Sequence, residues 1–179
     1  MVTVLERPRS GIMVAYGFAV AALLVMVALH AIIADRFSRA LRAVAAAHPD
    51  ALVFLARRLP PVVSDLPSFL KEKGIEAEIG DGWYPTTAHP GGLTVWTAEA
   101  VPREVLTIEW AEIGDVLPVH TPTVGRDLRW CVSVDVKPYV IPLTVDVGYA
   151  WGVVTMALNA RDTATLVEAV VAQRPSHAR

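Results

Sequence analysis

The side chains able to do chemistry are few and scattered. One cysteine, Cys131, and five histidines (His30, His48, His89, His120 and His177) supply the thiol and imidazole groups. The histidines fall without metal-ligand spacing. A fold that brought His89 and His120 to Asp115 or Cys131 would change that reading. A lone cysteine allows no intramolecular disulfide and no Cys-x-x-Cys pair. In the alternating stretch Trp130–Val136 it shares the polar face with Ser133 and Asp135, where a thiol would be accessible. Arg129 has the same parity and would supply the charge that activates a cysteine. The chain carries no Gly-x-Ser-x-Gly elbow, no GxxxxGK[ST] loop and no His-Glu-x-x-His pair. The expectation is a non-catalytic chain without a metal or cofactor.

Charge excludes another class. Acids and bases nearly cancel, at a formal −2, so the basic footprint of a nucleic-acid binder is missing. Between Glu76 and Asp115 stand Glu76, Glu78, Asp81, Glu99, Glu104, Glu109, Glu112 and Asp115 against one base, Arg103. Their spacing does not match a calcium loop, and the segment reads as a solvated acidic face. Trp83 and Tyr84, in the turn-rich stretch Gly80–Gly92, are candidate exposed anchors for a protein interface.

What must position these groups starts in lipid. Residues Gly11 to Ala34 form 24 consecutive residues without a formal charge, bounded by Arg9 and Asp35. As a helix that run spans about 36 Å, enough for a ~30 Å hydrocarbon core. It is longer than the apolar core of a cleaved signal, and no small-x-small cleavage pattern ends it. It therefore reads as a single-pass transmembrane helix behind a tail over residues 1–10. Gly17 and Ala21, four apart like Ala15 and Ala19, would let another helix approach closely. His30 lies near the end of the span, at interface depth.

Past the membrane, residues 35–48 continue as a juxtamembrane helix, with Phe37, Leu41 and Val44 at i, i+4 and i+7. Arg36, Arg39 and Arg42 on its other side are candidates for anionic headgroups, each cation there contributing about 1 kcal/mol. Three arginines after the span against Arg7 and Arg9 before it place the following domain in the cytoplasm. His48-Pro49-Asp50 ends the helix.

The remainder, residues 51–174, reads as about seven short strands and one helix, followed by a tail at 175–179. Ala51–Arg58, Ile75–Ile79, Leu93–Thr97, Glu104–Trp110, Glu112–Val119, Trp130–Val136 and Tyr139–Val147 are the strands, with a short helix over Ser68–Lys73 closed by Gly74. Glu112–Val119 is expected to pair with Glu104–Trp110. Pro142 predicts that Tyr139–Val147 lies at an edge or a bulge, and Lys137-Pro138 a tight hairpin before it. Gly148–Leu158 is a further strand or core-covering segment. The helix spans Asp162–Arg174, with Asp162 as N-cap and Leu166, Val167, Val170 and Val171 as its apolar stripe. The fold class is α+β.

Seven short antiparallel strands closed by a C-terminal helix resemble the pleckstrin-homology-like fold. The stretch VLTIEWAEIGDV (Val105–Val116) is similar to its bacterial members, where a strand ending in an aromatic leads into an Ile-bearing hairpin. The resemblance covers roughly Ala51 to Arg174. It implies a bent sheet or barrel whose open end is plugged by the last helix. Members that bind phosphoinositides use basic residues around the first hairpin, and only Arg57 and Arg58 match. The tryptophan common in the last helix of eukaryotic members is missing, so the fold is carried over and lipid binding is not. The layout also resembles small single-pass membrane proteins of actinobacteria, and 13 arginines against three lysines fit a GC-rich genome. The functional expectation is an accessory or scaffold subunit whose partners are the bilayer and another membrane protein. The alternative is a membrane-tethered binder of a lipid or small apolar ligand.

Overall fold

A computed structural model describes residues 9–59, 66–75, 79, 82–122, 128–137, 139, 142–151 and 154–176. Helix α1, Arg9–Ala47, is one uninterrupted element of 39 residues, about 58 Å at 1.5 Å per residue. From Tyr16 to Ile33 its apolar side chains are exposed on every side, with Ala31 alone partly covered. The helix is long and apolar enough to cross a membrane. Asp35 to Ala47 belong to the same helix, so no hinge separates the apolar part from the amphipathic part.

Eight strands follow: β1 (Leu52–Arg58), β2 (Trp83–His89), β3 (Gly92–Trp96), β4 (Glu104–Glu109), β5 (Ile113–Pro122), β6 (Leu128–Val136), β7 (Leu143–Trp151) and β8 (Val154–Ala157). Helix α2 (Leu66–Glu72) lies between β1 and β2, and α3 (Ala160–Ala172) closes the chain. The sheet order is β4-β3-β2-β1-β7-β6-β5, every pair antiparallel, with β8 added to β7. β1 is shared: Leu52–Arg57 pairs with β2, and Leu55–Arg58 pairs with β7.

The order dictates a closed shape. β4 and β5 are the two ends of the sheet, yet only three residues, Trp110 to Glu112, join them. Three residues reach little more than about 10 Å, so the sheet must curl until its edges meet there. α3 packs on β5 and β6 at that corner. Arg174, just past its end, donates to the carbonyls of Ile113 (3.0 Å) and Gly114 (2.6 Å) and stacks over Trp110 at 5.1 Å. The inward faces of the strands, with Phe54, Tyr84, Leu93, Ile108, Val134 and Leu143, make the core with Val167 and Val170 of α3.

Several expectations are corrected. Gly80–Gly92 is not one turn region, because Trp83–His89 forms a central strand. Pro85 is tolerated there since the β2–β3 ladder begins only at Thr86. β5 pairs with β6 and not with β4. β7 lies between β1 and β6, with Pro142 just before its first residue, so it is no edge strand. The N-cap of α3 is Asn159, whose side chain accepts from the Asp162 N–H at 2.9 Å while Asp162 occupies the first turn. Gly74, at φ +73°, ends α2 as expected. The expected strand at Ile75–Ile79, the turn at Lys137-Pro138, the acids Glu76, Glu78 and Asp81, and His177 lie outside the described residues in whole or part.

Candidate functional site

The second half of α1 docks on the outside of the sheet. Ala34, Ala40 and Val44 are buried, and the helix contacts β1, β2, β7 and β8. On β2 and β3 the outward residues alternate with the core ones, so Thr87, Thr94 and Trp96 mark the face that α1 covers. Phe37 lies where a Cβ on Gly82 would come within 3.2 Å of its ring. The His48 ring meets that of Trp96 at 4.8 Å, and Trp96 Nε1 donates to Thr87 Oγ1 at 3.1 Å. The aromatic contacts therefore hold both ends of the amphipathic segment.

The three arginines expected at the membrane surface are committed differently. Arg36 Nε donates to the Ala98 carbonyl at 2.6 Å and ties the β3–β4 loop to the helix. Arg39 pairs with Asp35 at 3.0 Å, both well exposed, and Arg42 Nε donates to the Ser38 carbonyl at 3.2 Å. Gly17 and Ala21 lie exposed on the free part of α1, and nothing comes within 4 Å of a Cβ built on Gly17. His30 bonds the carbonyl of Met26, one turn earlier, at 2.9 Å.

Trp83 and Tyr84 do not form an exposed loop anchor. They open β2, where Tyr84 points into the core at 2% exposure and burial pushes its phenol pKa upward. Trp83 points outward, half-buried, with the Arg57 guanidinium 5.0 Å from its ring. Alternation across a strand explains how adjacent aromatics take opposite roles.

Beside Trp83 lies a charged cluster that sequence reasoning missed. Asp146 is fully buried and stands across from Arg57 on β1 and Cys131 on β6. Its Oδ2 accepts from Arg57 at 2.5 Å and from Arg129 at 3.5 Å, while Oδ1 has no partner. The one signal in the sequence is an acid inside an apolar strand. Cys131 is buried too, contrary to the accessible thiol expected. Desolvation and then the Asp146 charge raise its thiol pKa to about 12, outweighing Arg129 and Arg57. A thiol so held stays protonated and is a poor nucleophile near neutral pH.

The other histidines have partners of their own. His89 Nδ1 accepts from the Gly91 N–H at 3.1 Å, which makes Nε2 the protonated nitrogen. That N–H donates to Thr94 Oγ1 (2.9 Å), Thr94 bonds Thr107 (2.6 Å), and Thr107 donates to Glu104 (2.9 Å). His120 stacks on Trp130 at 4.9 Å. Among the described residues no three His, Cys, Asp or Glu side chains are grouped to hold a metal.

The interior of the sheet encloses a void of about 50 Å³, lined almost wholly by apolar side chains and reached by the unpartnered hydroxyl of Thr86. Ligand sites of ordinary size run to about 300–1,000 Å³. The void would take a few water molecules or the end of a chain.

No protein-family model matches the chain, and comparison with curated proteins and with solved structures gave no match.

Proposed function

We propose that the chain is a single-pass membrane-anchored interaction module, non-catalytic, serving as an accessory or scaffold subunit within or beside a larger membrane assembly. The observation that carries this reading is the continuity of α1. One helix supplies an apolar stretch exposed on all sides and then, without a break, a strip packed onto the β domain. A domain held that way stands at a fixed height and orientation over the bilayer, which raises its effective concentration toward anything in the same membrane.

The strand order and the helix at the closing corner support the pleckstrin-homology-like resemblance, and the high thiol pKa of Cys131 speaks against thiol chemistry. The three arginines after the apolar stretch support a cytoplasmic domain. The alternative, a lipid or small apolar ligand inside the β domain, is disfavoured by the small void. The test is affinity purification of the tagged full chain in mild detergent. The expected result is the same stoichiometric partner in independent preparations; repeated recovery as a lone monomer overturns the proposal.

A further inference from the structure

A groove on the surface of the β domain has room to receive a side chain. It lies between the end of α1 and the loop after β3 and holds about 320 Å³. Val44 and Ala47 form its helical wall, Trp96 its end, and Ala100, Val101 and Pro102 its other wall. Every side chain there except His48 and Trp96 is wholly apolar, and Val101 is 78% exposed beside it. A second hollow of about 270 Å³ continues on the far side of His48, where Asp50 and Pro90 line it. The alanines leave room that a larger residue would fill.

Charge narrows the occupant. The apolar loop wall is bracketed by Glu99 and Glu104, and the second hollow by Asp50. Arg103 pairs with Glu99 at 3.4 Å, and Arg36, bonded to the Ala98 carbonyl, is a second cation at the foot of the same loop, so the acids left over are Glu104 and Asp50. Among the described residues Glu104 is bonded only to a threonine hydroxyl, and Asp50 pairs with no cation. An apolar segment flanked by lysine or arginine complements these two acids, and an acidic one is repelled.

Height narrows it further. Ala43 to Ala47 lie 9 to 13 residues beyond Ala34, or about 14–20 Å farther along the helix. A chain leaving the same membrane covers that height in about five extended residues. Segments just outside a membrane on its cytoplasmic side are rich in lysine and arginine. We infer that this groove binds the basic, apolar-bearing juxtamembrane segment of a second membrane protein. The inference rests on the module reading and names the chemistry of its partner.

The test uses the full chain in nanodiscs of neutral phosphatidylcholine, with a fluorescein-labelled peptide of alternating leucine and lysine. Empty nanodiscs are subtracted, and a leucine–glutamate peptide is the control. Saturable binding is expected, weakened at least tenfold by V101D, and weakened similarly by Asp50→Lys with Glu104→Lys. Those positions are exposed, so folding is spared. Raised salt is expected to reduce affinity, and the glutamate peptide to bind only the charge-reversed variant. No saturable binding, binding unaffected by V101D, or self-association of the chain that V101D abolishes would overturn the inference. The two readings fail separately. A native partner that co-purifies equally with V101D leaves the module reading standing and removes the groove; peptide binding with the expected pattern but no native partner does the reverse.

Discussion

Ala40 is the most sensitive position for the docking of α1. Its side chain is fully buried against the β domain, one turn from Phe37 and one from Val44. Burying Val44 contributes about 2 kcal/mol, and half-burying Phe37 and Leu41 about 1 kcal/mol each. The apolar strip thus holds the helix with roughly 4 kcal/mol before ordering costs. Ala40→Glu would press an unpaired carboxylate into that seam, and the effective cost of burying such an ion is several kcal/mol. The penalty matches or exceeds the docking energy, so the helix should lift from the sheet while the domain stays folded. Spin labels at exposed Ala46 and exposed Asp135, in nanodiscs, measure this by double electron–electron resonance. Cys131 would stay unlabelled, since it is buried and its pKa is raised to about 12. A narrow distance distribution is expected for the parent and a broad one for Ala40→Glu. A narrow distribution in both, or a broad one in the parent, would refute the packing argument.

Other outcomes follow from single sites. Asp146→Ala should destabilise the domain by about 2 kcal/mol, below the ~3–5 kcal/mol typical of a broken buried pair, because water reaches the arginines in part; chemical denaturation with Asp146→Asn as the milder comparison measures it. Gly92→Ala should lower the melting temperature by about 4–12 °C, since φ is +150° and a Cβ would fall 2.1 Å from the Ile108 carbonyl oxygen; an unchanged melt would be decisive against that geometry. The Cys131 thiol should resist a thiol reagent at pH 8 until the protein is denatured. Because its folded pKa is raised, its contribution to stability is complete below pH 9 and declines as pH climbs toward 12, which a melting series across that range would reveal.

Much of the fold was legible because period and length are local properties. The apolar run at Gly11–Ala34, the alternation in Glu104–Trp110 and Trp130–Val136, and the stripe on α3 all appear as elements. Pairing is not local: spacing puts Glu112–Val119 beside Glu104–Trp110, whereas the fold pairs it with β6. β2 was hidden by Pro85 and its flanking glycines, which read as turns without knowledge that the β2–β3 ladder starts later. Alternation placed Cys131 correctly opposite the core, but it does not tell which faces are wet. The face carrying Leu55, Thr87 and Asp146 is buried as well. Asp146 and the groove beside Val101 depend on residues far apart in the chain, so neither could be assembled from spacing.

The claim on which the account rests is that α1 lies in lipid up to about Ala34 and holds a folded module just above it. In nanodiscs whose acyl chains carry bromine, a fluorophore at Leu24 should be strongly quenched and one at Ala46 should not. Equal quenching at both positions, or none at Leu24, would contradict it.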